Sequence, residues 1–132
     1  MSGNQDADIK LLTIVDDGTQ FSADTLTNGL PFEVSAQIEI GKDLMRVVTK
    51  HELFVTIHNV TQQSVLVPQV RLDLPLTAQD GNTPYVGELR ARIDTWKAEE
   101  GDVLRAIATY KVTAGVFRDF STASSQETVV QA

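Results

Sequence analysis

From Leu104 to Ala114 every second residue is apolar or small: Leu104, Ala106, Ala108, Tyr110, Val112 and Ala114 alternate with Arg105, Ile107, Thr109, Lys111 and Thr113. A side-chain period of two is that of a β-strand with one buried face. Wound as a helix, the segment would place Thr109, Lys111 and Thr113 at steps of about 200° and scatter its polar groups around the cylinder. Only Ile107 breaks the polar face. The preceding residues admit a helix, with Leu89, Ile93 and Trp96 on one side, Gly101 just past its end and Asp102 as the next N-cap. Yet Leu89, Ala91 and Ile93 also alternate with Arg90, Arg92 and Asp94, so both stretches are predicted as strands.

The rest of the chain agrees. Phe32, Val34, Ala36, Ile38 and Ile40 share one face, with Glu33, Ser35, Gln37 and Glu39 on the other. Gly29 to Pro31 punctuate the start of that strand and Gly41 its end. Glu52–Val60 and Val70–Leu76 alternate as well. Pro68 and Pro75 cannot donate ladder hydrogen bonds, which predicts a sheet edge there. Asp8–Val15, Thr19–Leu26, a stretch near 116–120 and one near 127–131 complete the expected strands, with a polar loop over Ala78–Pro84. Ile9, Leu11, Leu12, Ile14 and Val15 leave the first strand apolar on both faces, which predicts burial on both sides or pairing with another chain. Strands at this regular spacing predict an all-β sandwich. One domain over residues 9–132, preceded by a tail at 1–8, fits the length of 132 residues.

The pattern L-x-A-x-A-x-Y-K-V-T-A over Leu104–Ala114 resembles the sixth strand of fibronectin type III and related immunoglobulin-like domains. The resemblance implies an immunoglobulin-like antiparallel β-sandwich of about seven to nine strands. It also implies that Tyr110 forms a corner, its hydroxyl bonding backbone a few residues upstream. The segment 97–104 remains open between such a corner, crossing from sheet to sheet, and a plain hairpin loop.

Eleven basic residues against eighteen acidic ones give a net charge of −7 with no basic run, which argues against nucleic acid and anionic membranes as partners. The absence of cysteine excludes disulfides and thiolate chemistry. The opening residues do not read as a signal peptide, and no apolar run approaches the length of a membrane span, so the cytoplasm is the expected location.

No catalytic motif stands out. Ser121–Gln126 is rich in serine but has no nucleophile-elbow spacing, and no phosphate loop is present. His51 and His58 lie an odd number of residues apart, hence on opposite faces of one strand, with His51 expected in a loop. Loop oxygens of Asp16, Asp17 and Asp80, with Asp73 and Asn82 nearby, could gather at one end of a sandwich around calcium; the same residues are also common turn formers. Phe54 and Trp96, beside Arg90, Arg92, Arg105 and Lys111, would form an aromatic anchor ringed by arginine on an outer face. In the competing reading Trp96 caps the core and these charges form cross-strand pairs with Glu33 and Glu39. The expected function is a non-enzymatic module that binds a protein partner or itself. The alternative is a lectin-like module for a small ligand or carbohydrate, with or without calcium.

Overall fold

A computed structural model describes residues 6–132. Nine strands and one short helix follow in the order β1 (Ala7–Asp16), β2 (Thr25–Thr27), β3 (Phe32–Ile40), α1 (Lys42–Met45), β4 (Lys50–Asn59), β5 (Ser64–Pro75), β6 (Tyr85–Ile93), β7 (Val103–Ala114), β8 (Phe117–Ser124) and β9 (Thr128–Gln131). They form two sheets. One has the order β1-β3-β6; the other runs β2-β9-β7-β4-β5, with β8 also paired to β7. Every pairing is antiparallel except that of β2 with β9. The architecture is an immunoglobulin-like β-sandwich. Residues 1–5 of the expected tail lie outside the described residues, and β1 already begins at Ala7.

The alternation read from the sequence becomes the core. Phe32, Val34, Ala36, Ile38 and Ile40 of β3 face Leu53, Val55 and Ile57 of β4 and Leu104, Ala106, Ala108, Tyr110 and Val112 of β7, all buried. Each large apolar side chain removed from water contributes about 1.5–3 kcal/mol. This layer therefore fixes the register: a slip by one residue would turn every one of these groups outward.

The segment 94–102 joins strands of different sheets, so the hairpin reading is excluded. Trp96 packs edge-on against Phe32, ring centroids 5.4 Å apart, and its Nε1 donates to the Leu30 carbonyl at 2.7 Å. Below it, Asp102 accepts from the Asn59 amide at 2.8 Å, the Glu99 N–H at 3.0 Å and the Gln62 amide at 3.2 Å. These bonds tie the crossing to the β4–β5 turn, where Gln63 takes a positive φ of 53°.

The prolines mark an edge as expected. β5 is the outer strand of the larger sheet and runs through Pro68, which sits at a β-bulge. The expected strand at 19–26 is reduced to β2, since residues 16–22 form a hairpin closed by the Val15–Ser22 bridge. The double-sided apolarity of β1 goes with burial of both faces at Ile14 and Val15 but not at Leu11. β1 is the edge of the smaller sheet, and a bulge between Ile9 and Leu11 shifts its alternation so that Leu12, Ile14 and Val15 are buried while Leu11 is exposed. α1 falls where no element was expected; it buries Leu44 and Met45 and has no side-chain cap.

Candidate interaction surfaces

Phe54, Arg90, Arg92 and Trp96 do not share an outer face. Phe54 lies on β4, on the outside of the larger sheet, half-buried beneath the Arg71 guanidinium at 5.7 Å from its ring centroid. Arg90 and Arg92 lie on β6 of the smaller sheet, where outward points the opposite way. Arg90 pairs with Glu33 and Glu88, both at 3.1 Å, and Arg92 with Asp17 at 3.0 Å and Asp94 at 2.8 Å. Trp96 is 7% exposed and caps the core. The expected pairing of an arginine with Glu33 is present, whereas Glu39 pairs with Lys10.

Of the three calcium candidates, Asp80 lies apart from Asp16 and Asp17. Asp16 stands opposite Phe32 at the start of β3, while Asp80 precedes Tyr85, which stands opposite Ile40 at the end of β3. Nine residues of strand span about 27 Å. Asp17 and Asp80 are engaged by Arg92 and Arg46 respectively. Among the described residues no three His, Asp or Glu side chains converge as a metal site.

Tyr110 does not make a corner with backbone. Its hydroxyl lies 2.7 Å from His51 Nδ1, with the two rings edge-on at 5.6 Å between centroids. His51 is not in a loop: it points inward from β4 and is 5% exposed. Burial lowers its pKa from the usual 6.5, because the imidazolium would lose its hydration. Burial, with a smaller contribution from Tyr85, raises the Tyr110 pKa. Both shifts favour the neutral forms, and the tautomer of the His51 ring sets which partner donates in the Nδ1–Oη bond.

On the outside of the larger sheet a carboxylate is enclosed by cations. Glu52 is only 2% exposed and is reached by Arg71 at 2.5 Å, Lys111 at 3.5 Å and Lys50 at 3.6 Å. Desolvation alone would raise its pKa, but Arg71, then Lys111 and Lys50, outweigh it and the net shift is downward.

Two concave surfaces remain, the first touching the Arg90 network through Glu88. The first is a groove of about 540 Å³ along β1. Three side chains act there as substitutes for a neighbouring strand. Asp119 accepts from the Ala7 N–H at 2.7 Å and Ser121 from the Ile9 N–H at 3.1 Å. The Gln126 amide accepts from Ile14 N–H at 3.1 Å and donates to the Ile14 carbonyl at 2.8 Å. The groove is lined by Leu11 and Thr13 together with Ser35, Gln37, Glu88 and Ser124. Ser35 donates to Glu88 at 2.6 Å; that bond, and then Arg90, depress the Glu88 pKa.

The second is at the end of the sandwich formed by α1 and the β7–β8 turn. Asp43, Leu44, Val47, Ala114 and Phe117 line a cavity of about 260 Å³. Val116, at the tip beside Gly115, is fully exposed, and Val47 and Phe117 are exposed too. The sequence singled out β1 for its apolar residues but not the polar groove beside it, and it raised no expectation for the second surface. The available signal for the second was the run Gly115-Val116-Phe117, in which a turn glycine is followed by two large apolar residues instead of the usual polar ones.

The fold and these surfaces define a small immunoglobulin-like β-sandwich module. No protein-family model matches the chain, and no curated protein is significantly similar to it. Among solved structures, the C-terminal domain of wzt is similar with a TM-score of 0.62 at 10% identity, over 99% of this chain and 77% of that one. A stretch of Bacteroides uniformis β-glucuronidase 2, solved covalently bound to cyclophellitol-6-carboxylate aziridine, is similar with a TM-score of 0.57 at 12% identity. That match takes in 94% of this chain but only 14% of the glucuronidase. At such identities the likeness establishes the fold alone.

Proposed function

We propose that the chain is a non-catalytic protein-interaction module that engages its partner through the α1 and β7–β8 end of the sandwich. The observation that carries this reading is the exposure of Val47, Val116 and Phe117 around a cavity that is apolar apart from Asp43. Exposed apolar surface that is continuous with a pocket is the usual mark of a docking site, since it gains most from being covered. A photo-reactive side chain placed at Val116 should give one dominant adduct with a second polypeptide in extracts of the native source, and Phe117→Ser should suppress it. The same probe at Val86, exposed on β6, should give none. Equal labelling from both positions, or none from Val116, refutes the reading.

A second reading, a module for a small hydroxyl-rich ligand, is favoured by the lining of the β1 groove. Serine, threonine and glutamine groups beside one carboxylate, over the apolar side chain of Leu11, suit the alternating hydroxyls and C–H faces of a sugar. Titration with neutral oligosaccharides followed by amide NMR would show shifts confined to Ser35, Gln37 and Ser124; their absence across such a panel removes this reading.

A further inference from the structure

β5 is the long outer strand of the larger sheet, and its hydrogen-bonding phase can be read from one bond. Leu76 N–H donates to the Thr49 carbonyl at 3.3 Å, continuing the register in which Lys50 stands opposite Pro75. Bonded and non-bonded pairs alternate along an antiparallel ladder. Val70, Leu72 and Leu74 therefore turn their backbone groups to β4, while Arg71, Asp73 and Pro75 turn theirs to the open edge. Pro75, which has no N–H, occupies a position where β4 asks none of it. At the other end Val55 pairs with Val70 but Ile57 with Val67, so Pro68 and Gln69 bulge against Thr56. The two prolines bracket a short straight edge between Gln69 and Pro75.

That edge is self-complementary. Arg71 and Asp73 are on its outer face; Val70, Leu72 and Leu74 are on the inner one, with Leu74 exposed at the rim of the core. We propose that two copies of the chain pair through β5, antiparallel about a two-fold axis at Leu72. Backbone phase requires the axis to pass through a residue, so that open-edge groups meet open-edge groups. An axis at Arg71 sets Arg71 against its own copy, and one at Asp73 sets Asp73 against its own; both bring like charges together. An axis at Val70 runs into the bulge, and one at Leu74 sets Asp73 against Pro75. Only the axis at Leu72 places each Arg71 against Asp73 of the second copy as a bonded pair. It also stacks Leu72 on Leu72 and covers Leu74 with Val70 of the second copy. Arg71 is held by Glu52 and by the Phe54 ring and already reaches Asp73 of its own strand at 2.9 Å, so the pairing exchanges each contact within a strand for one across the axis. The contact is isologous and closes on itself, as a two-fold dimer must. It uses a different surface from the β7–β8 end, so either proposal can fail without the other.

The chain lacks cysteine, which makes a covalent test clean. In the proposed pairing the two Leu72 side chains form a close non-bonded pair, within reach of a disulfide. Leu72→Cys under mild oxidation should cross-link to a dimer, and Val86→Cys should not. Light scattering of the unmodified chain should approach twice the monomer mass with rising concentration. Asp73→Lys, an exposed change whose cost to the monomer is the loss of a surface ion pair with Arg71, should weaken dimerisation roughly tenfold by turning two attractive pairs repulsive, with circular dichroism unchanged. A chain that stays monomeric at all concentrations overturns the proposal. So does a dimer that Asp73→Lys leaves intact and that Leu72→Cys cross-links no better than Val86→Cys.

Discussion

The buried His51 makes a prediction about acid that can be worked through. Its pKa in the folded chain lies below the unfolded value of about 6.5. Above pH 6.5 both states hold the ring neutral and folding is unaffected by it. As the pH falls below 6.5 the unfolded chain takes up a proton that the folded chain refuses. Stability is then lost until the folded pKa is reached. One proton of difference gives a slope of at most about 1.4 kcal/mol per pH unit, so the loss between pH 6.5 and pH 5 is bounded at about 2 kcal/mol. That is a large part of the typical stability of about 5–15 kcal/mol. Urea titrations at pH 7.5, 6.5, 5.5 and 5.0, read by the emission of the single, buried Trp96, measure it directly. His51→Gln retains a polar group facing Tyr110 but cannot titrate. It should cost about 1 kcal/mol at pH 7.5 through altered packing and flatten the slope between pH 6.5 and 5. A slope unchanged by His51→Gln, or a flat profile in the unmodified chain, would refute the assignment of His51 as a buried neutral ring.

Three further outcomes follow from the side-chain networks. Gln126→Ala removes the clasp on Ile14 and should cost about 2 kcal/mol in urea unfolding, with faster hydrogen exchange at the Ile14 amide than at Ala36. Trp96→Ala should cost about 3–5 kcal/mol by circular dichroism, whereas Trp96→Phe, which keeps the contact with Phe32 and loses the bond to Leu30, should cost about 1 kcal/mol. The lowered carboxylate pKa values of Glu52, Glu88 and Asp102 contribute stability that is present above their unfolded values and lost as the pH drops through the folded ones. Thermal melts should therefore show a second decline below about pH 4, and Glu52→Gln should reduce it while leaving the His51 window untouched.

Much of the fold was legible because it is written locally. β3 begins and ends where its alternation and its flanking glycines and proline place it, and β5 was recognisable as an edge from Pro68 and Pro75. What depends on distant partners was not legible. β2 exists because Thr25–Thr27 lie beside β9, a hundred residues away in the chain. The alternation of β7 says that Tyr110 points inward but cannot say that His51 awaits it there. In the same way, a period of two separates outward from inward residues without saying which sheet they leave. Phe54 and Arg90 are both correctly outward, yet they face opposite directions. Asp16 and Asp80 are both near strand ends, but the ends are opposite.

The same distinction bears on where this sandwich can associate. Both β1 and β5 are edges, and the apolar character of β1 made it the more inviting of the two in the sequence. In the folded chain its outward N–H groups at Ala7, Ile9 and Ile14 are already taken by Asp119, Ser121 and Gln126. A strand added there would have to displace three side chains that the chain supplies itself, at a cost of about 1 kcal/mol or more for each bond broken. Among the described residues no strand lies beyond β5. Its prolines limit the length of exposed ladder, which is how natural sheets avoid open-ended aggregation. They leave the stretch between them, where Arg71 and Asp73 can answer each other, as the place where a second copy would gain hydrogen bonds without first breaking any in the ladder.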